Sequence, residues 1–194
     1  YAGEILEKFT DFKNTALVLA DETLLPITLN SLPKNINAIN ITMGYPLKDI
    51  PTTSLLFSVF QLFVSQEKLQ KTIVNEFYHK DVVRFFKHQA IYKLLSQENS
   101  SLVDNFTEEI GRENLIFISK KQLENFLEDT AAPIKAAIAA IFNTYTTINE
   151  FLDRILNLIG LLKEDVTALE KEYLFRFHTA FTQLKTLQTE YEYF

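Results

Sequence analysis

The residues best placed for chemistry are cations. Lys80, Arg84 and Lys87 stand at i, i+4 and i+7, so one face of a helix carries all three. His88 follows them, Lys93 lies further on, and Tyr78 comes just before. A basic stripe beside an aromatic ring suits a phosphate backbone. The cations displace counterions, and the ring offers a stacking surface. The same spacing describes the solvated face of an amphipathic helix whose other side, Val82, Val83, Phe85 and Phe86, enters a core. Both readings stay open. Tyr78, Lys80, Arg84, Lys87 and Lys93 are the candidate nucleic-acid contacts.

No residue set reads as catalytic. The glycines, Gly3, Gly44, Gly111 and Gly160, are too scattered for a phosphate-cradling loop, which needs several backbone N–H groups free to approach one anion. Neither G-x-S-x-G nor H-E-x-x-H occurs. His79, His88 and His178 have no carboxylate at metal-ligand spacing and read as surface or helix-end residues, so no metal or cofactor is expected in this chain. The acidic pairs Asp21–Glu22, Glu108–Glu109, Glu128–Asp129 and Glu164–Asp165 fall at helix ends or on polar faces. Capping and solvation explain them without split-pKa chemistry.

The bulk numbers set the frame. In 194 residues, 47% are hydrophobic, enough for a real core. A formal charge of −6 argues against a surface coated in basic charge, though not against a local basic groove. Cys is absent, which removes disulfides, thiolate metal sites and Cys nucleophiles, and fits a reducing compartment; the cytoplasm is the expected location. No apolar run is long enough to span a membrane. Both ends read as cuts in a longer polypeptide.

These residues must be positioned by a mainly helical chain with a small α/β portion. Ala16–Ala20 is a short, continuous apolar run and reads as a strand buried on both faces. Glu22–Leu32 reads as a helix with Pro26 near its first turn, and Ile39–Met43 as a second strand. Strand, helix and strand over about 30 residues make one βαβ unit, whose strands pair in parallel. Leu55, Leu56, Val59, Phe60, Phe63 and Val64 give the next helix a wide apolar face. Tyr78–Leu95 reads as two short helices, and a further helix is stopped by Gly111. Leu115–Ile118 reads as a strand or an extended link. Ser119 with Gln122 reads as a capping box, and Thr147 as the cap of residues 148–163. Asp165 opens the last helix, with Leu169, Tyr173, Leu174, Phe177, Phe181, Leu184 and Leu187 along one side. The 17 Phe and no Trp imply that the helices pack through Phe.

TALVLADETLLPITLNSLP (15–33), INITMGYPLKDIPTTSLLFSVFQL (39–62) and FYHKDVVRFFKHQAIYKLL (77–95) resemble the helicase-like region of RecB-family exonucleases of the AddB type. Those proteins join a helicase-like front to a PD-(D/E)XK nuclease at the back. The resemblance implies a partial second RecA-like lobe with two or three strands over residues 1–70. An all-helical insertion domain follows over residues 71–194. It further implies a role in DNA double-strand-break processing and recombination repair, with DNA and a partner helicase-nuclease subunit as partners. The nuclease, with its Mg²⁺, lies outside this chain. Superfamily 1 helicases often carry an Arg after the strand matching Ala16–Ala20. Ala20–Asp21 stands here, which argues against ATP-driven unwinding by this lobe. Self-association through the cut sheet is a further expectation. The alternative is a helical protein-interaction module with no nucleic-acid role.

Overall fold

A computed structural model describes residues 2–8, 12, 15–36, 38–42, 50–69, 76–163 and 166–191. The chain divides into two compact units, Tyr1–Asp49 and Ile50–Phe194. The resemblance implies a boundary at 70/71. Residues 50–69 instead belong with the larger unit, because their helix packs against the strand and helix that follow.

The smaller unit holds a short helix α1 (Ala2–Leu6) and α2 (Leu25–Asn30). The Asp21 carboxylate accepts the Thr23 N–H at 2.9 Å and starts a 3-10 turn, Glu22–Leu24, which runs into α2. Pro26 sits in the first turn of α2, where its missing N–H costs nothing. The expected parallel strands are not there. Residues 15–19 and 38–42 have no regular structure, and Met43 lies outside the described residues. Val18 is 86% exposed and Leu17 47%. A continuous apolar run is a strand only when layers cover both its faces. Among the described residues of this unit only Leu6 and Leu25 are buried, and they form no such layer.

The larger unit is mainly helical with a small β portion. Its elements are α3 (Pro51–Leu69), β1 (Glu76–Tyr78), α4 (His79–Phe86), α5 (Gln89–Ser96), α6 (Leu102–Arg112), β2 (Phe117–Ser119), α7 (Lys120–Phe126), α8 (Ala132–Ile141), α9 (Ile148–Leu161) and α10 (Ala168–Tyr191). β1 and β2 pair antiparallel, with Phe77 opposite Ile118 and both side chains buried. Strands therefore interrupt the stretch that reads as all-helical. They pin α4 to the α6–α7 connection: the His79 N–H donates to the Ile116 carbonyl at 3.0 Å.

The core is aromatic. Phe142 lies edge-on to Phe77 and Phe85 and stacks on Phe86, and Phe106 stacks on Phe126 with ring centroids 4.1 Å apart. Val82, Phe85, Phe86, Ile91 and Leu95 anchor α4 and α5 in it, while Val83 and Leu94 are half-buried. The Ser119 capping box forms as expected, and Thr147 caps α9 by accepting the Glu150 N–H. Gly111 does not stop α6. The helix continues to Arg112 and closes one step later, where Asn114 takes φ 50°. The Asn114 N–H then reaches the Gly111 carbonyl and the Leu115 N–H the Ile110 carbonyl, the two bonds of a Schellman ending. In place of Asp165, which lies outside the described residues, Thr167 and Glu170 cap α10 reciprocally. Along α10 the apolar side divides: Leu174 and Phe177 are buried, Leu184 and Leu187 exposed.

Candidate nucleic-acid interface

β1 runs directly into α4, so Tyr78 stands at the helix entrance and the basic residues follow on its outer face. Lys80, Arg84, Lys87 and Lys93 are exposed, and Tyr78 is half-buried. The Lys80 Nζ lies 6.0 Å from the centre of the Tyr78 ring, within cation–π range. Lys87 caps the C-terminus of α4, where a cation complements the helix dipole. Lys93 belongs to α5.

Arg84 differs from the lysines. Its guanidinium donates to Asp81 Oδ1 at 2.8 Å. Asp81 is only 4% exposed, and its Oδ2 has no partner among the described residues. Asp81 stands in the first turn of α4, where the helix dipole favours a negative charge. Arg84 therefore spends its charge on a buried carboxylate. The i, i+3 spacing of Asp81 and Arg84 is a signal present in the sequence; the burial that makes the pair consequential is not.

His88 leaves the basic group. It is the N-cap of α5: its Nδ1 accepts the Ala90 N–H at 3.3 Å. A ring that accepts at Nδ1 carries its proton on Nε2, which faces Ser54 Oγ at 2.8 Å and the Pro51 carbonyl at 3.2 Å. Burial pushes the pKa of His88 below its ordinary value, against the raising effect of the Pro51 carbonyl. The Ser54–His88 contact resembles a nucleophile and its base, but the proton is on the wrong nitrogen. The ring's lone pair is held by the α5 backbone, and the Ser54 hydroxyl donates to the Pro51 carbonyl at 2.7 Å. The pair ties α3 to α5 and activates nothing.

Beside it lies a cleft of about 160 Å³ between the start of α3, the length of α5 and the α9–α10 corner, walled by Leu55, His88, Lys93, Leu162, Glu170 and Tyr173 among others. No motif announces it, because its walls come from three separated segments.

The remaining titratable residues take structural roles. Asp21 is a cap, held below the usual carboxylate range by the Thr23 hydroxyl and N–H. Glu150 is likewise lowered, by the Thr146 N–H and hydroxyl. Glu108, Glu109, Glu128 and Asp129 are exposed, and Glu164 and Asp165 lie outside the described residues. His79 Nδ1 donates to the Ile116 carbonyl, and His178 is half-buried on α10. Among the described residues no three His, Asp or Glu gather as a metal site, and no helix is long and apolar enough to cross a membrane. Comparison with known protein families, with curated proteins and with solved structures finds no match.

Proposed function

We propose that this chain is a non-catalytic, helicase-like part of a RecB-family exonuclease of the AddB type. It serves DNA double-strand-break processing and recombination repair in the cytoplasm. In this reading Mg²⁺ and the hydrolytic carboxylates belong to a nuclease domain elsewhere, and a partner helicase-nuclease subunit completes the machine. The sequence resemblance over residues 15–95 supports the reading. The observation that carries it is the outward row of Lys80 and Lys87 on a helix anchored by Val82, Phe85 and Phe86, with Tyr78 beneath Lys80. Ammonium groups on a rigid helix suit a phosphate backbone. The contact is independent of sequence and weak, because the net charge of −6 opposes approach.

The test is a salt titration of oligonucleotide binding by the full chain, read by fluorescence anisotropy. Lys80→Ala and Lys87→Ala together should flatten the slope of log K against log salt by up to about two units. Arg84 is left in place, since removing it strands the Asp81 carboxylate. An unchanged slope with an intact circular dichroism spectrum returns the row to a solvated helix face.

One observation favours the second reading, a helical protein-interaction module. Phe57, Phe60 and Val64 form an exposed stripe on the far side of α3. The stripe continues through ring contacts of Phe60 with Phe151 and of Phe151 with the exposed Tyr145. Exposed aromatic patches of this kind mark protein contacts.

A further inference from the structure

We infer that the exposed aromatic stripe of α3 docks on the same stripe of a second copy of this chain, the two α3 helices pairing antiparallel about a two-fold axis. The inference rests on the protein-contact reading of this stripe and names the partner.

Phe57, Phe60 and Val64 stand at i, i+3 and i+7 along the outer side of α3. That is the spacing of a seam between two packed helices. Leu55, Leu56, Val59 and Leu62 are buried and fill the inner side. Phe57 is 67% exposed, Phe60 41% and Val64 37%. The stripe widens beyond α3. The Phe60 ring lies 5.5 Å from that of Phe151, and the Phe151 ring 5.0 Å from that of Tyr145. Tyr145 and Ile148 are each 40% exposed. All these residues belong to the same compact unit, Ile50–Phe194.

Two observations select a second copy. The first is charge. No charged side chain occurs from Pro51 to Gln66. The charges of α9, which carries Ile148 and Phe151, are engaged. Glu150 accepts from the Thr146 N–H and hydroxyl, Arg154 donates to the Asn143 and Thr144 carbonyls, and Asp153 pairs with Lys185. A charged partner gains no complementarity on such a face. Two copies at net charge −6 repel where their acidic surfaces meet, and the charge-free face lets them approach.

The second is area. Aromatic side chains carry about 150–250 Å² each, so at these exposures the stripe presents roughly 400 Å² of apolar surface. A standard interface buries about 800 Å² per partner, about 56–58% of it apolar, or about 450 Å². The stripe supplies that apolar core, and Gln61 and Thr144 supply rim. An antiparallel pairing centred near Phe60 and Gln61 sets Phe57 against Val64 in both directions, so the patch completes itself. Glu67 and Lys68, at the far end of α3, then face the uncharged first turn and not their own counterparts.

The test is sedimentation of the full chain over a concentration series. Mass should rise from one chain to two in the micromolar range. Phe57→Glu places a charge in the seam twice per dimer. It should weaken association about a hundredfold and leave the circular dichroism spectrum unchanged. Val64→Glu is the second variant if Phe57→Glu fails to fold. Val18→Glu, in the other unit, should leave association as it is. The chain has no Cys, so Gln61→Cys puts a single thiol near the axis. It should form a disulfide-linked dimer faster than Gln183→Cys, an exposed position on α10. A dimer that survives Phe57→Glu, or is lost with Val18→Glu, overturns the inference, and so do equal rates for the two thiols. A single chain at every concentration overturns it too. In that case, binding of an apolar dye that is lost with Phe57→Glu preserves the protein-contact reading, and absence of such binding overturns both.

Discussion

Burial of the His88 ring makes its neutral form the stable one, and the consequence is a pH dependence of known sign. The folded pKa lies below 6.5, so between that folded value and 6.5 the unfolded chain binds the proton and the folded chain resists it. Stability from this group is full above about pH 6.5, falls as pH drops from there towards the folded pKa, and levels below it. Lys93 and Glu170 are charged groups that line the same cleft, and Lys87 directly precedes His88. His88→Asn keeps an N-cap acceptor for α5 and removes the titration. The difference in urea midpoint between wild type and His88→Asn should therefore shrink or reverse between about pH 8 and about pH 5; a difference independent of pH contradicts the assignment. Asp81 gives a second prediction at this scale. Removing its partner with Arg84→Ala leaves a buried carboxylate oxygen unpaired and should cost about 1–3 kcal/mol. Lys80→Ala, on the same face with no buried partner, should stay within about 0.5 kcal/mol. Equal urea midpoints for the two variants would show that Asp81 does not depend on Arg84.

Helix ends and helix interiors were legible for different reasons. The Ser119–Gln122 box depends on residues three apart, so local chemistry alone determines it. Both halves form, with the Ser119 N–H to Gln122 Oε1 at 2.9 Å and the Gln122 N–H to Ser119 Oγ at 3.3 Å. Ser119→Ala should cost about 1 kcal/mol by chemical denaturation, and Gln122→Ala on top of it should add less than it costs alone, because the two bonds are reciprocal. Full additivity would show that the box is not cooperative. The faces of α4 and α5 were readable because 3.6-residue periodicity is also local. β1 was not readable. Three residues carry no periodicity, and Glu76–Tyr78 becomes a strand only because Phe117–Ser119, some 40 positions along the chain, arrives beside it. The cleft was hidden for the same reason: Leu55, His88 and Tyr173 share no spacing. Ala16–Ala20 failed in the opposite direction. Its pattern was clear, but the described residues of its unit supply no covering layers to turn such a pattern into a strand. Gly111 misled because glycine marks a stop only at the left-handed position, which Asn114 occupies instead.

At the scale of the whole chain, burial is distributed unequally between the two units. Among the described residues, Ile50–Phe194 contains nearly all the buried apolar side chains, from Ile50 to Phe177 on α10. Tyr1–Asp49 leaves Leu17, Val18, Ile27 and Ile39 exposed and buries Leu6 and Leu25. Self-association through a cut sheet has no strand to run along among its described residues, although the exposed apolar side chains remain available for association. Apolar burial is the main force against chain entropy, and chains of about 40 residues or fewer rarely bury enough without a metal, a disulfide or a partner. A unit of this size whose described residues bury only Leu6 and Leu25 sits at that limit. Residues 50–194 expressed alone should unfold in one cooperative step and keep a near-ultraviolet dichroism signal from the packed Phe63, Phe77, Phe86 and Phe142 rings. Residues 1–49 alone should melt without a sigmoidal transition and give no near-ultraviolet signal. Cooperative melting of the isolated 1–49 peptide at low concentration would mean that it possesses a core the burial pattern does not provide. Cooperative melting that appears only as peptide concentration rises would instead identify a second copy as the missing cover, since a self-associating unit gains stability by mass action.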